Sequence, residues 1–159
     1  MPTTRVPLSD LALPHWTKQE RANAELITDF VQHLMNDHDF DYVERTFGAH
    51  RYLQHNLTIP DGVAGVLKTV RDVVARYPDY QYDVKAIFST GDMVIFHSHV
   101  TTSEAHRGDG NKGLIITDRW QVVDGELVEH WDAIQPIHGL FRFVTWLTGG
   151  AIRNHNSRF

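Results

Sequence analysis

Two aspartates placed on either side of a predicted turn are the residues of this sequence best suited to chemistry. Asp118 and Asp132 flank Asp124-Gly125, a dipeptide typical of tight hairpins. If the turn centres on Gly125, the two aspartates face each other across a strand pair, with their Cβ atoms about 5 Å apart. On an apolar surface both carboxyls resist ionisation, so one stays protonated near neutral pH and serves as an acid. The alternative is that both bind backbone amides, a histidine or water and only position the sheet.

The register of this hairpin decides which side chains share the face of the two aspartates. With the turn at Gly125, Trp120 faces His130 and Val122 faces Val128. That face is mostly apolar and continues with Leu114, Ile116 and Ile134. The other face suits solvent and carries Thr117, Arg119, Gln121 and Glu129. A turn centred between Asp124 and Gly125 would mix the two sets, so we adopt the first register.

Four histidines are candidates to act with the aspartates. His130 precedes Asp132 by two residues, His97 and His99 share one face of a predicted strand, and His55 lies in a Gln-His-Asn sequence. Histidine is the side chain whose ordinary pKa lies nearest neutrality, so such a cluster can shuttle protons. His-x-His also occurs in zinc sites, but no third ligand stands at a recognisable spacing, and we expect no metal. The alternative is that hydrogen bonds satisfy these histidines in a polar core or at a subunit contact.

The first half of the chain predicts helices preceded by an irregular arm. Residues 1–15 contain three prolines and are expected to lie on the domain or on a partner subunit. Thr17-Lys-Gln-Glu20 matches a capping box, and the apolar residues after it recur at helical spacing. Further helices are predicted to begin near Asp39 and Asp61. The last of them ends near Tyr77-Pro78, because the residue before a proline avoids the helical region.

From Tyr80 onward the apolar pattern changes to a period of two. It predicts the strands Gln81–Ser89, Met93–Glu104, Leu114–Val123 and Leu127–Gln135. The links are short and contain glycine, which favours an antiparallel meander because parallel strands need long crossovers. Helices followed by a meander predict the α+β class. Residues 137–159 form a C-terminal extension, in which the apolar residues 138–147 are expected to form a helix packed on the domain or at a subunit interface.

Composition excludes several classes of protein. A formal net charge of −5 without a Lys/Arg cluster gives no reason to expect nucleic acid or an anionic membrane as partner. The sequence has no cysteine, which excludes disulfides and thiolate chemistry and fits a reducing cytoplasm. No apolar run reaches the roughly 18 residues of a membrane span, and no glycine-rich phosphate loop suggests a nucleotide cofactor. We expect the 159 residues to form one domain that binds a small-molecule ligand.

Five short motifs resemble the SnoaL-like branch of the nuclear transport factor 2-like superfamily. They are Tyr52-Leu-Gln-His-Asn56, Asp61-Gly62, Gly91-Asp92-Met-Val94, Asp124-Gly-Glu-Leu-Val-Glu-His-Trp-Asp132 and Gln135-Pro136. The resemblance implies a cone-shaped α+β barrel, usually dimeric, in which a curved antiparallel meander wraps around the N-terminal helices and leaves a pocket at the wide end. Members include cyclases that close polyketide rings by aldol condensation, and similar cones host epoxide hydrolases, dehydratases and isomerases. In the cyclases an aspartate near the end of the last strands is the acid/base, and Asp132 matches it. A histidine assists across the hairpin there, and Asp118 holds that place here.

The sequence therefore predicts a cofactor-free enzyme that performs acid/base chemistry, an aldol-type cyclisation or isomerisation, on a small hydrophobic or aromatic carbonyl compound. The expected catalytic residues are Asp132, Asp118 and His130. The expected substrate-binding residues are Tyr52, His55, His97, His99 and Trp120, with His55 and His97 polarising the carbonyl oxygen. Two alternatives stay open: an epoxide-type hydrolase whose aspartates activate water, and a non-catalytic module that binds a small ligand. A homodimer is expected because the apolar tail Leu140–Leu147 and the outer sheet face expose much apolar surface.

Overall fold

The computed structural model describes residues 4–137, 140–150 and 159. Its strands are β1 Leu53–Gln54, β2 Gln81–Thr90, β3 Met93–Thr101, β4 Leu114–Val123 and β5 Glu126–Pro136. They form one curved, open sheet in the order β1-β5-β4-β3-β2. Strands β2 to β5 pair antiparallel in sequence order, and β1 adds a short parallel pair to β5. The predicted α+β class and the antiparallel meander are confirmed.

The helices lie mainly before the sheet in sequence. They are α1 Leu8–Leu11, α2 Lys18–Val31, α3 Phe40–Phe47, α4 Val63–Arg76 and α5 Leu140–Leu147. A π-helical turn, Gln32–Asn36, continues α2. Helix α4 starts at Val63 instead of Asp61, because Gly62 has a φ of 83° and leaves the helical region. The buried faces of α2 and α4 share one hydrophobic core with the inner face of the sheet, where Phe30, Val66 and Trp120 are among the buried residues.

The start of α2 is fixed to the sheet by the predicted capping box. Thr17 Oγ1 accepts a hydrogen bond from the Glu20 amide at 3.2 Å, and Glu20 Oε2 accepts from the Thr17 amide at 2.8 Å. The other carboxylate oxygen of Glu20 accepts from the Gly91 amide in the β2–β3 turn at 2.9 Å. These backbone hydrogen bonds lower the pKa of Glu20. One side chain therefore caps the helix and ties it to a hairpin.

The π-helical turn fixes the edge of the sheet. Asn36 is buried, its Oδ1 accepts from the Tyr82 amide at 2.8 Å, and its Nδ2 donates to the Tyr82 carbonyl at 3.0 Å. Because β2 is an edge strand, these backbone groups have no strand partner on that side. Asn36 thus substitutes for a neighbouring strand and sets the position of Tyr82.

The β4–β5 hairpin differs from the predicted register at its tip. The turn is the two-residue Asp124-Gly125, with φ values of 52° and 79°, as two-residue turns of this type require. Val122 therefore pairs with Leu127, and the prediction that it faces Val128 is wrong. A bulge next to Gln121 takes up the extra residue and restores the predicted register deeper in the sheet.

The arm and the extension are described in part. Thr4 Oγ1 lies 2.6 Å from Gln81 Oε1, and the Val6 amide donates to Gln32 Oε1 at 2.9 Å, so this part of the arm lies on the domain. The predicted C-terminal helix is present as α5, and residues 138–139 and 151–158 of the extension lie outside the described residues. Among the residues that the structure describes, no helix is long and apolar enough to cross a membrane.

Candidate active site

A cavity of about 180 Å³ lies between the inner face of the sheet and the helices α2 and α4. Most of its wall is apolar or aromatic, formed by Phe30, Met35, Tyr52, Ile59, Val66, Val70, Val73, Tyr80, Tyr82, Ile116, Trp120 and Ile134. Its polar lining residues are Asn56, Thr58, Thr69, Asp118, His130 and Asp132. Within the described part of the chain, no lysine or arginine lines the cavity. Histidine and hydrogen-bond donors are therefore the groups of the cavity wall that can stabilise a charged carboxylate there.

The hairpin places four of the predicted residues in this cavity on one face of the sheet. Asp118 on β4 pairs directly with Asp132 on β5, and Trp120 pairs with His130. Asp118 is only 2% exposed and His130 5% exposed. Strand alternation therefore brings two carboxyls and an imidazole to the inner face, as the sequence predicts.

The extended segment before α4 brings a second set of polar side chains to the same place. Gln54 pairs in parallel with His130, and the Gln54 backbone N–H donates to Asp61 Oδ1 at 2.8 Å. Alternate residues of an extended segment point the same way. Tyr52 and Asn56, two residues before and after Gln54, accordingly line the cavity.

The polar side chains form two connected groups. His130 Nε2 lies 3.1 Å from Asp118 Oδ1, and His130 Nδ1 lies 3.0 Å from Gln54 Oε1. Asn56 Nδ2 donates to both oxygens of Asp132, at 2.7 and 3.0 Å. Asp118 Oδ2 is buried and has no hydrogen-bond partner among the residues that the structure describes. The aspartates thus have different surroundings, one bonded to histidine and one to an amide.

Aromatic rings fix the plane of the imidazole. The His130 ring stacks on Tyr52 with centroids 5.9 Å apart, and on Trp120 at 5.1 Å. Trp120 is buried and itself packs edge-on against Phe96. The ring therefore has little freedom to move away from the carboxyl that it faces.

Burial raises the pKa of Asp118 above its ordinary value. The hydrogen bond and the charge of His130 oppose this rise, and the neighbouring Asp132 adds to it. Removing a carboxylate from water disfavours its charged form, and a second carboxylate nearby disfavours it further. Asp118 therefore keeps a proton to higher pH than an ordinary aspartate.

Three tyrosines of the cavity are hydrogen-bond donors at all relevant pH values. Burial raises the pKa of Tyr52, Tyr80 and Tyr82 well above the ordinary range. A protonated phenol in an apolar wall offers a donor to an oxygen of a bound ligand. Tyr82 is held in place by Asn36, as described above.

His55 does not lie in the cavity, contrary to the prediction. Its Nε2 lies 2.7 Å from Glu129 Oε1, and its ring stacks on Trp131 with centroids 4.5 Å apart. Both partners belong to the outer face of the sheet. His55 points there because it alternates with Tyr52 and Asn56, which point inward.

His97 and His99 are also on the outer face. His97 Nδ1 lies 3.0 Å from Thr117 Oγ1, and His99 Nε2 lies 2.7 Å from the Lys112 carbonyl. Both rings stack on Phe159. The buried alternate residues Phe96 and Ser98 occupy the inner face of β3. The structure therefore does not place His55, His97 or His99 in the cavity.

Sequence reasoning missed Gln54, Asn56, Tyr80 and Tyr82. For Gln54 and Asn56 the sequence holds a signal, because both lie at even spacing from Tyr52, a predicted site residue. The prediction of His55 rests on the chemistry of histidine and not on strand alternation. No comparable signal marks Tyr80, which lies in the loop before β2.

Three polar residues of the cavity are also potential metal ligands. Asp118, His130 and Asp132 each offer one ligand atom, and these atoms lie within 4.8 Å of one another. Strand alternation already groups these three residues on one face, whereas the zinc-type spacing in the sequence is that of His97 and His99, which lie on the outer face. Two carboxylates and an imidazole are donors that a divalent transition metal accepts.

Comparison with known proteins agrees with this architecture. The family model described as a SnoaL-like domain matches residues 27–130. No curated protein sequence matches the chain. Three similar solved structures share only low sequence identity with it, so their likeness concerns the fold.

One is a proposed polyketide cyclase from Bacillus cereus ATCC 10987, with TM-score 0.62 and 16% identity, covering 77% of this chain and 81% of that chain. A second is a proposed SnoaL-like polyketide cyclase from Jannaschia sp. CCS1, with TM-score 0.62 and 15% identity, covering 84% and 96%. A third is a proposed ketosteroid isomerase from Kribbella flavida DSM 17836, with TM-score 0.55 and 18% identity, covering 74% and 81%. Because the family model covers well over half of the sequence and the fold agrees, the chain belongs to the SnoaL-like domain family.

Proposed function

We propose that the protein is an acid/base enzyme that isomerises or cyclises a small hydrophobic or aromatic carbonyl compound. The proposal assigns Asp132 as the base and Asp118, bonded to His130, as the acid. Neither role needs a cofactor. Names of similar proteins, which include polyketide cyclases and a ketosteroid isomerase, are consistent with chemistry of this type.

The observation that carries the proposal is the unequal environment of two facing carboxyls in one apolar cavity. Asp118 is buried and has a raised pKa, and one of its oxygens has no hydrogen-bond partner within the described part of the chain. Asp132 accepts two hydrogen bonds from Asn56 and lines the same cavity. Two titratable groups whose surroundings separate their protonation behaviour form an acid and a base in one site.

The proposed reaction conserves protons. The Asp132 carboxylate removes the proton from the carbon next to a carbonyl, and the electron pair moves to the carbonyl oxygen. Asp118 gives its proton to that oxygen, which produces an enol. The enol returns its O–H proton to Asp118 in one of two ways. In an isomerisation, a carbon conjugated with the enol, different from the carbon that lost its proton, takes the proton from Asp132. In an aldol cyclisation, the α-carbon attacks a second carbonyl of the same molecule, and the oxygen of that carbonyl takes the proton from Asp132.

The size of the cavity restricts the substrate. Pockets for drug-sized ligands usually occupy about 300–1,000 Å³, and this cavity measures about 180 Å³. A compound of one or two rings is therefore the expected substrate. Tyr52 and Tyr80 line the cavity and supply donors for a further oxygen on it, whereas the Tyr82 hydroxyl donates to Tyr80.

The experiment that tests the proposal is exchange of solvent deuterium into a panel of one-ring and two-ring ketones and aldehydes, followed by NMR. Enzymatic removal of the α-proton labels that carbon before any net product forms, so the true substrate need not be known. We expect protein-dependent exchange for at least one compound. Ligand binding that shows no pH dependence between about 5 and 8, without exchange in any compound, would favour the binding-module alternative.

Hydrolysis of an epoxide is a second candidate, supported by the facing pair Asp118 and Asp132. Asp132 would activate a water and Asp118 would protonate the leaving oxygen. The polar neighbour Asn56 does not provide a free acceptor for that water, because its Oδ1 already accepts from Thr58 at 2.9 and 2.7 Å. Incorporation of ¹⁸O from labelled water into a diol distinguishes this reaction from enol chemistry.

We also propose that the protein is a cytoplasmic homodimer. Exposed apolar side chains on α5, including Phe143 and Trp146, support association. On the outer sheet face, the Arg119 guanidinium lies 4.2 Å from the centre of the Trp131 ring and offers a further contact surface. The lack of cysteine fits a reducing compartment.

A further inference from the structure

The hydrogen bonds around Gln54 determine which nitrogen of His130 carries its proton. Gln54 Oε1 lies 2.9 Å from the Asn56 backbone amide and 3.0 Å from His130 Nδ1. A backbone N–H can only donate, so the Gln54 atom at this position must be the oxygen and not the nitrogen. Since that oxygen can only accept, His130 Nδ1 must carry a proton.

A proton on Nδ1 leaves Nε2 as the acceptor of a neutral imidazole. Nε2 is the atom that faces Asp118 Oδ1, at 3.1 Å. A bond between these two atoms requires one proton, carried either by the carboxyl or by the imidazole. One proton stays on His130 Nδ1, which bonds to Gln54. A second proton lies between Nε2 and Asp118 Oδ1, and the pair can give up this proton to leave a neutral imidazole and a carboxylate.

We propose that Gln54 is a positioning residue that fixes His130 as the Nδ1–H tautomer, so that His130 and Asp118 together hold the proton used by the acid of the site. The inference rests on the proposed function for its catalytic consequence, whereas the tautomer itself follows from the hydrogen bonds alone. Without Gln54, a neutral His130 can place its proton on Nε2 and donate to Asp118, which must then be ionised. The single proton of the contact would then be on His130 Nε2, and Asp118 would have no proton to give to a substrate.

A second observation supports a role beyond packing. Among the described residues, Gln54 Nε2 is buried and no acceptor meets it at hydrogen-bond geometry, although the Gln54 side chain also interacts with the Tyr52 hydroxyl. An unpaired buried amide group is a cost that leucine or methionine would avoid at similar volume. The orientation that leaves Nε2 unpaired is the one that lets Oε1 accept from both Asn56 and His130.

Other groups near the ring do not replace Gln54. The titratable groups that face His130 are Asp118 on β4, Asp132 on β5 and Tyr52, whose ring stacks on the imidazole face. The stacked Tyr52 ring keeps the imidazole in its plane, but it does not form a hydrogen bond with either imidazole nitrogen. Gln54 is thus the group that bonds to Nδ1.

Long-range ¹H–¹⁵N NMR of the intact chain with labelled histidine tests the proposal without any substrate. We expect the wild-type His130 signals to show a protonated Nδ1 near neutral pH. Gln54→Glu keeps an acceptor and should retain this pattern, whereas Gln54→Met removes it and should move the proton to Nε2. Gln121→Met, on the outer face where Gln121 bonds to Asp92, is the matched control and should change nothing at His130.

The same variants connect the tautomer to catalysis. Gln54→Met should slow deuterium exchange by more than about tenfold and change its pH profile, and Gln54→Glu should recover much of the rate. A wild-type His130 with its proton on Nε2, or a tautomer unchanged by Gln54→Met, would overturn the proposal whether or not a substrate is known. The expected tautomer together with no exchange in any compound would leave Gln54 as the residue that sets the tautomer and would contradict the proposed function alone.

Discussion

Asn36 offers a sharp test of how the cavity wall is held. It is 1% exposed and makes two hydrogen bonds with the backbone of Tyr82, at 2.8 and 3.0 Å. Asn36→Ala leaves a buried N–H and a buried C=O of an edge strand without partners. Each such group costs about 1–3 kcal/mol, and partial relaxation of the edge strand lowers the sum. We expect the free energy of unfolding to fall by about 3 kcal/mol.

Urea denaturation and thermal melting measure this change. For a chain of this size, about 3 kcal/mol corresponds to a fall in Tm of roughly 6–12 °C. Asn111→Ala is the matched control, because Asn111 bonds to Asp109 in an exposed loop and should cost less than about 0.5 kcal/mol. A loss for Asn36→Ala no larger than that of Asn111→Ala would refute the view that Asn36 substitutes for a neighbouring strand.

Three further predictions concern stability and association. Burial raises the folded-state pKa of Asp118, so the folded chain keeps this proton longer than the unfolded chain, and stability falls as pH rises from the ordinary value of 3.8 through the raised pKa. Asp118→Asn should reduce that fall in urea titrations across this range, and an unchanged slope would contradict it. Thr17→Ala removes the cap of α2 and should cost about 1 kcal/mol by the same assay; no measurable loss would mean that the cap adds little. Light scattering at micromolar concentration should give twice the chain mass of 18.3 kDa, and a uniform monomer would argue against the homodimer.

Much of the fold was predictable because its signals are local. A period of two, glycine-bearing links and a capping box are properties of neighbouring residues, and they predicted the strands and the start of α2. Strand alternation predicts that Asp118 and Asp132 face each other, and they do, although the predicted centre of the turn at Gly125 is wrong. The bulge next to Gln121 compensated for the turn, and no sequence signal marks that compensation.

The rest of the site depends on contacts between distant segments. The parallel pairing of Gln54 with His130 brings together residues far apart in the chain, and alternation within one segment cannot reveal it. The chemistry of histidine predicts His97 and His99 as site residues, yet both lie on the outer face. Which face of a strand is inner depends on where the helices pack, so alternation groups side chains but does not choose between the groups.

The proposed base can be tested most directly by comparing Asp132→Asn with the wild type in the deuterium-exchange assay, on any compound that the wild type labels. Asn keeps the shape of the side chain but cannot take the α-proton. We expect Asp132→Asn to lower the exchange rate by roughly 10²- to 10⁴-fold with the fold intact. Glu129→Gln, on the outer face, should change the rate little. An Asp132→Asn variant that exchanges at nearly the wild-type rate would contradict the assignment of Asp132 as the base.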